Sequence, residues 1–167
     1  MMNKPTQQIL DDLPSIGGGY TPGTSLVTHI SYKLSSLLLL ELESLIKNNS
    51  SLNLASWRAL RGLSTIESSS QKELVQFANV DQGQMSRALT DLEKKGFVIS
   101  QRSKEDKRSW RFSITEEGQL YHTQLSPIVD SFHQELTNSL TASELETYVQ
   151  LSAKVAAIVV NKRPENS

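Results

Sequence analysis

The 167-residue sequence contains no cysteine, so disulfides, thiol-based redox sensing and thiolate metal sites are excluded. It also lacks an apolar run near the roughly 18 residues that a membrane span requires. The leucine run at residues 37–40 is ended by Glu41. The N-terminus has no apolar signal-peptide core. We therefore expect a soluble, intracellular protein without a membrane partner.

A net charge of appreciable size is also missing. The chain has 17 basic and 18 acidic residues and a formal net charge of -1. Global charge therefore does not indicate a partner such as nucleic acid, and any binding of that kind must rest on local charge. The length suits one domain, or one domain with long appendages.

The patterns typical of enzymes are absent as well. The three histidines, His29, His122 and His133, are scattered, and the sequence shows no Ser-His-Asp order and no glycine-rich phosphate loop. His122 and His133 are eleven residues apart, or about 16 Å along a helix, so they cannot bind one metal without help from another segment. We expect no catalytic residue, no metal site and no cofactor.

The first part of the chain is predicted to be an arm followed by an amphipathic helix. Residues 1–23 contain three prolines and four glycines, which favours a flexible arm. Apolar residues then recur at helical spacing over residues 24–50. The run at residues 37–40 makes the middle of this helix apolar nearly all round, so it must be covered on every side. A partner subunit is the cover that we favour over the core of a monomer.

Capping motifs divide the middle of the chain into helices. Asn53 is a plausible cap for one helix, and Ser70 with Glu73 forms a capping box that opens a short second helix. Asn79 can end that helix in a left-handed conformation. The sequence Asp81-Gln82-Gly83-Gln84 begins a third helix, which Gly96 ends. A short helix, a four-residue turn and another helix are typical of a helix-turn-helix.

Alternating apolar residues next predict two short strands, at residues 97–99 and 110–114, joined by a charged loop. The hairpin converts the helix-turn-helix into a winged one. Thr115 caps a long helix that Pro127 should kink. A third capping box, Thr141 to Glu144, begins the last helix.

The third helix has a distinctive polar face. Met85, Leu89 and Leu92 define its buried side, and the residues that lie opposite or flank it at the helix start are Gln82, Gly83, Gln84, Ser86, Arg87, Thr90 and Lys94. Gln and Arg side chains can pair bidentately with adenine and guanine edges. The alternative is an ordinary solvated face that tolerates a glycine.

The hairpin carries the local positive charge. Residues 100–111 hold two acids, Glu105 and Asp106, and a local net charge of +3 in a chain of net charge -1. Its five basic residues are Arg102, Lys104, Lys107, Arg108 and Arg111. Such a run is usually a solvated loop, but beside a helix with this polar face it is better explained as a phosphate or minor-groove contact.

Three ordered motifs carry a family resemblance: Leu92-Glu93-Lys94-Lys95-Gly96, Asp106-Lys107-Arg108, and Ile114-Thr115-Glu116-Glu117-Gly118. They resemble the end of the recognition helix, the wing Asp-x-Arg and the strand-to-helix junction of MarR-type bacterial transcription regulators. With the flanking helices, the resemblance covers about residues 25–160.

The resemblance implies a mainly α fold with a small β-hairpin, in which residues 51–115 form a winged helix-turn-helix domain. Residues 24–50 and 116–162 would be N- and C-terminal dimerisation helices, and residues 163–167 a tail. The apolar residues that we assign to the dimer interface are Leu34, Leu37, Leu38, Leu145, Tyr148, Val155 and Ile158.

The resemblance also implies a function. A cytoplasmic, nucleoid-associated homodimer would bind a pseudo-palindromic operator in double-stranded DNA and act as a repressor. Arg108 would enter the minor groove and the Asp106 carboxylate would hold its guanidinium. Many members are released by small anionic phenolic ligands bound between the dimer region and the winged domain, which implies a small anionic or aromatic ligand here.

Three departures from the family leave alternatives open. The glycine-rich arm before residue 24 is longer than the family needs, and the alternatives are an arm that crosses the dimer partner and a disordered one. Ser100 stands where the family often has arginine, and Arg102 is the candidate replacement. Trp110 is bulky for the return strand, and because it shares parity with Phe112 and Ile114 we expect core packing rather than stacking on DNA. A winged-helix protein-interaction module without DNA binding is the alternative function.

Overall fold

The computed structural model describes residues 26–103, 106 and 108–161. The described residues form, in chain order, α1 (Leu26–Asn49), α2 (Leu54–Thr65), β1 (Ser69–Ser70), α3 (Gln71–Ala78), α4 (Gln82–Lys94), β2 (Val98–Arg102), β3 (Trp110–Ile114), α5 (Glu116–Asn138) and α6 (Ala142–Val160). The predicted arm at residues 1–23, the tail at 163–167, and Lys104 and Lys107 lie outside the described residues.

The prediction of a mainly α fold with a small hairpin is confirmed. The sheet is antiparallel, with strand order β1-β3-β2 and Val98 paired with Ile114. The wing is the β2–β3 hairpin, residues 98–114. The third strand, β1, was not predicted, because its two serines show no apolar alternation. It pairs with β3 through Ser69 and Phe112.

The predicted helix caps are present. The Asn53 side chain accepts a hydrogen bond from the Ser56 N–H at 2.8 Å, and reciprocal capping boxes open α3, α4 and α6. Each box satisfies backbone N–H groups that a helix start would otherwise leave without partners. Asn79 ends α3 with a φ of 49° and a ψ of 51°, the left-handed conformation that its residue type predicted.

The chain forms two compact units, one ending at His122 and one beginning at Thr123. The core of the first unit joins α2, α3, α4 and the sheet. Its buried side chains include Trp57, Leu60, Leu63, Leu74, Met85, Leu89, Leu92 and Val98. Each large apolar side chain of this kind contributes about 1.5–3 kcal/mol when removed from water. The buried side predicted for α4 is thereby confirmed.

The start of α5 is fastened to the rest of the first unit. The Thr115 hydroxyl donates to the Gly96 carbonyl at 2.7 Å and accepts from the Gly118 N–H at 3.0 Å. The Tyr121 ring lies 4.4 Å from that of Phe97, centroid to centroid. His122 stacks on Trp57 with its centroid 5.2 Å away. These contacts join the first two turns of α5 to the rest of the first unit.

In the second unit, Leu125 and Val129 are buried, whereas α6 exposes apolar residues along its length. Pro127 lies inside α5, and the kink expected there stays a prediction. None of the described helices combines the length and apolar composition that a membrane-spanning segment requires.

Candidate nucleic-acid interface

The polar face of α4 is open to solvent. All seven of its predicted members are exposed: Gln82, Gly83, Gln84, Ser86, Arg87, Thr90 and Lys94. We call this set the reading face. It exists because Met85, Ala88, Leu89 and Leu92 occupy the opposite side of the same helix and are buried in the core. The α4 backbone is therefore held rigidly while these polar side chains project outward.

Side-chain hydrogen bonds hold the turn between α3 and α4. The Gln71 amide donates to the Gln82 carbonyl at 3.0 Å, and the Arg58 guanidinium donates to the Ala78 carbonyl at 3.1 Å. Asp81 accepts from the Gln84 N–H at 2.8 Å. The turn is thus bonded on both sides, which fixes the start of α4.

The wing tip is an ordered turn centred on Asp106. The Asp106 carboxylate accepts from the Arg108 backbone N–H at 2.9 Å, and the Ser109 N–H donates to the Asp106 carbonyl at 2.9 Å. Ser103 closes the base, because its N–H donates to the Ser109 carbonyl at 3.0 Å. An aspartate that bonds the backbone two residues on is the usual local device for fixing a turn.

This contact corrects one expectation about Asp106. The carboxylate was expected to hold the Arg108 guanidinium, but it holds the Arg108 backbone instead, because the i to i+2 N–H is closer than the end of a long side chain. Arg108 itself is exposed. Asp106 therefore fixes where the Arg108 side chain starts, and leaves the guanidinium to project into solvent.

Arg111, which was predicted to contact DNA, is hydrogen-bonded within the protein. Its Nε donates to the Ser68 hydroxyl at 2.9 Å and its Nη2 to the Ser68 carbonyl at 2.7 Å. The Glu73 carboxylate lies 3.8 Å from its Nη1. Arg111 sits opposite Ser70 in the β1–β3 ladder, so its side chain meets the segment before α3 and not the tip of the wing.

Glu73 is the electrostatic centre of this junction. It accepts from the Ser70 N–H at 2.7 Å and from the hydroxyls of Ser70 and Ser69 at 2.9 and 3.1 Å. These hydrogen bonds, that from the Ser70 backbone foremost, lower the pKa of the Glu73 carboxyl, and the Arg111 charge adds to the effect. The ionised carboxylate is therefore the form that the fold prefers.

The prediction that Trp110 packs in the core was wrong. Trp110 is 45% exposed, although Phe112 on the same side of the strand is buried. The sheet extends beyond the core. One side of β3 therefore packs on the core at Phe112 and faces solvent at Trp110. The Cζ atom of Arg102 lies 4.4 Å from the centre of a Trp110 ring. No sequence motif marked this pair, although the hairpin register places the two residues opposite each other.

Beside the reading face is an open cavity of about 410 Å³, lined by residues of α1, α2, the turn and α4. Its polar lining includes the Glu43 carboxylate as well as Asn53, Arg58, Asn79, Gln84 and Arg87, and Leu39 and Leu54 are among its apolar residues. This mixed lining suits a small molecule with polar groups and an apolar body. Any occupant would lie directly against Arg87.

Residues 52–110 match the model of the MarR family. This range contains the whole helix-turn-helix and most of the wing. These residues form a MarR family domain. Solved structures extend the similarity to the flanking helices. Bordetella bronchiseptica BpsR, described with regulation of its DNA binding by 6-hydroxynicotinic acid, has a TM-score of 0.70 and 18% identity, covering 83% of this chain and 98% of BpsR.

Two further structures bear on the MarR fold. A mutant MarR from E. coli in complex with operator DNA has a TM-score of 0.64 and 27% identity, covering 79% of this chain and 99% of that one. The PcaV regulator of Streptomyces coelicolor, in complex with its natural ligand, has a TM-score of 0.67 and 20% identity, covering 82% of this chain and 98% of PcaV. The chain is thus similar to MarR family transcriptional regulators over most of its length.

Proposed function

We propose that this protein is a homodimeric, sequence-specific regulator that binds double-stranded DNA through α4 and the wing. The observation that carries the proposal is the fully exposed reading face of α4, held rigid by a buried opposite side and flanked by a wing whose turn is ordered around Asp106. The similar E. coli protein with operator DNA supports it.

In this proposal α4 lies in the major groove with its first turns toward the base edges. Arg87 and Gln84 are the side chains that can make bidentate contacts with guanine and adenine. Gly83 lets the helix backbone approach the groove, since it adds no side chain to the exposed first turn. Ser86, Thr90 and Lys94 lie farther along the exposed face and are suited to bases or phosphates.

The wing contributes the second contact. Arg108 would enter the minor groove, where readout depends on groove width and on the potential that attracts a cation. Arg102 would meet the phosphate backbone. Arg111 has no direct part in this contact, because its guanidinium is bonded to Ser68 within the protein.

A homodimer would cover apolar surface that the single chain leaves open. In α6, Tyr148, Val155 and Ile158 are 51%, 36% and 61% exposed. In α1, Leu34 is also exposed, and Leu37 and Leu38 are partly covered. Apolar patches of this kind on a helix mark interaction sites. Two copies related by a twofold axis would present two α4 helices to half-sites about one DNA turn, ~34 Å, apart.

A repressor released by a small ligand is the regulatory mode that we infer. The cavity at Arg87 supports it, because a ligand there would compete for a side chain of the reading face. The similar BpsR, whose DNA binding is described as regulated by 6-hydroxynicotinic acid, also supports it.

The alternative is a winged-helix module that binds protein and not DNA. The experiment that separates the two is a titration of labelled promoter fragments from the neighbouring genes at several salt concentrations. We expect submicromolar binding that weakens as salt rises, by about 0.9 in the log–log slope for each phosphate neutralised. Binding that is absent at micromolar protein, or insensitive to salt, favours the interaction module.

A further inference from the structure

The outer end of the wing carries an aromatic residue next to a cation. Trp110 and Arg102 are cross-strand partners at the last described rung of the β2–β3 ladder. The Arg102 Cζ atom is 4.4 Å from a ring centre of Trp110, within the distance of about 6 Å at which a guanidinium is attracted to an aromatic face. Both side chains are exposed.

The hydrophobic core does not explain this tryptophan. Phe112, two residues further along β3, is 9% exposed, whereas Trp110 is 45% exposed. The core therefore ends between them. Beyond that boundary, the Arg102 guanidinium contacts the Trp110 indole. Trp110 thus contributes a flat surface to the wing and little to core packing.

Such a surface affects what Arg102 can do. A free arginine side chain samples many rotamers and loses that freedom when it binds. Stacking against the indole restricts those rotamers beforehand. A guanidinium that lies over an aromatic ring keeps its positive charge and its N–H donors, which are the groups that bind a phosphate oxygen. The cation is then presented from the end of β2 in a limited range of directions.

We propose that Trp110 is a positioning residue for Arg102, and that the pair gives the wing a preorganised phosphate contact in addition to Arg108. The proposal rests on the DNA-binding function proposed above. It assigns the indole to the arginine, and not to direct stacking on a base or sugar. The Asp106 turn fixes the backbone at Arg108, whereas Arg102 lies at the end of β2 opposite Trp110. The two arginines would therefore approach DNA from different parts of the wing.

A double-mutant cycle on DNA affinity tests this assignment, with Arg102→Gln, Trp110→Leu, their combination and Trp110→Phe. The protein is the full chain and the probe is the duplex that wild type binds best. We expect Trp110→Leu to weaken binding by about two- to fivefold, because Arg102 then loses more rotamer freedom when it binds. In the Arg102→Gln background the same change should have no further effect. Trp110→Phe retains an aromatic face and should restore most of the affinity.

The outcomes separate this proposal from the function on which it rests. Equal losses from Trp110→Leu in both backgrounds would mean that the indole acts without Arg102, by touching DNA or by supporting the wing, and would overturn the assignment. Loss in Trp110→Phe as large as in Trp110→Leu would also overturn it. If the wild-type protein binds no duplex, both the DNA-binding function and the role of Trp110 are overturned. If it binds DNA in a salt-dependent way but the effects of the Arg102 and Trp110 substitutions simply add, only the role of Trp110 is overturned.

A measurement on the free protein checks the stack itself. The Nε–H signal of Arg102 in an NMR spectrum should be shifted upfield by the indole ring current and should move back in Trp110→Leu. Melting curves of the variants confirm that each is folded. An Arg102 signal that is the same in both proteins contradicts the stack and, with it, the proposed positioning role.

Discussion

Arg111 and Ser68 are joined by two hydrogen bonds, from Nε to the serine hydroxyl at 2.9 Å and from Nη2 to the serine carbonyl at 2.7 Å. The two residues are 43 positions apart in the chain. Their contact links the return strand of the wing to the segment that precedes α3. A residue that seemed from its sequence position to belong to the DNA surface is therefore a structural tie between the two parts of the domain.

Arg111→Ala tests this tie. We expect the free energy of unfolding to fall by about 1–2 kcal/mol, because two hydrogen bonds from a charged donor are lost while the more distant Glu73 pair adds little. The salt slope of DNA binding should stay at its wild-type value. Urea denaturation and a salt titration measure the two quantities. A slope reduced by about one unit, with unchanged stability, would return Arg111 to the DNA surface.

Arg108→Ala should behave in the opposite way. Arg108 is exposed at the wing tip, so its removal should leave stability within about 0.5 kcal/mol of wild type. DNA binding should weaken markedly and the salt slope should fall by about one. Sedimentation should show the same oligomeric state as wild type. Lys47→Ala, which removes an exposed charge from the last turn of α1, is the matched control. If Arg108→Ala binds its operator normally, the wing assignment is wrong.

Asp106 offers a test in which charge and geometry predict opposite signs. Asp106→Ala removes a negative charge from a basic wing, but it also removes the acceptor that holds the Arg108 N–H. We expect weaker DNA binding, because the turn is no longer fixed. Asp106→Asn keeps an acceptor oxygen without the charge and should bind at least as well as wild type. Fluorescence anisotropy on one duplex compares them, and tighter binding by the alanine variant would contradict the geometric role.

Glu73 makes stability depend on pH. Its pKa is lowered in the folded protein, chiefly by the Ser70 N–H and then by the hydroxyls of Ser70 and Ser69. The stabilisation is therefore complete above the unfolded value of about 4.3 and is lost as pH falls through the lower folded value. Glu73→Gln should show a shallower loss of stability in that acidic window. Urea denaturation between pH 7 and pH 3 measures the slopes, and identical slopes would refute the assignment.

Gly118→Ala tests the junction between the wing and α5. A Cβ atom at this position would lie 2.1 Å from the Phe97 carbonyl oxygen, which belongs to the backbone and cannot move aside cheaply. We expect a loss of about 1–3 kcal/mol, as for other overpacked sites. Glu117→Ala, at the exposed neighbouring position, should change stability by less than about 0.5 kcal/mol. Thermal melting that ranks the two variants equally would contradict this reading of the motif.

The features that could be predicted from the sequence are those that depend on residues close together in the chain. Capping boxes at Ser70, Asp81 and Thr141 join residues three apart, and the buried side of α4 follows from one helical period. These features led to the helix-turn-helix and to its reading face. Gly118 entered only as part of a family motif, and the close Phe97 carbonyl now supplies its physical reason.

The errors came from contacts between distant segments. Strand β1 exists because Ser69 and Ser70 meet β3, and no property of two serines predicts that pairing. The bonds of Arg111 to Ser68 were not predicted, because the two residues meet only in the folded chain. Alternation along β3 correctly placed Trp110 on the same side of the strand as Phe112. It does not show where the core under the sheet ends.

The central claim is that α4 reads a DNA sequence, and selection of bound duplexes from a random library tests it most directly. Wild type and Arg87→Ala are taken through the same selection. Wild type should enrich a pseudo-palindrome with half-sites about one turn apart, and Arg87→Ala should lose preference at one position in each half, by roughly 1–3 kcal/mol of discrimination. A wild-type library that stays random, or an Arg87→Ala motif identical to that of wild type, would contradict the account.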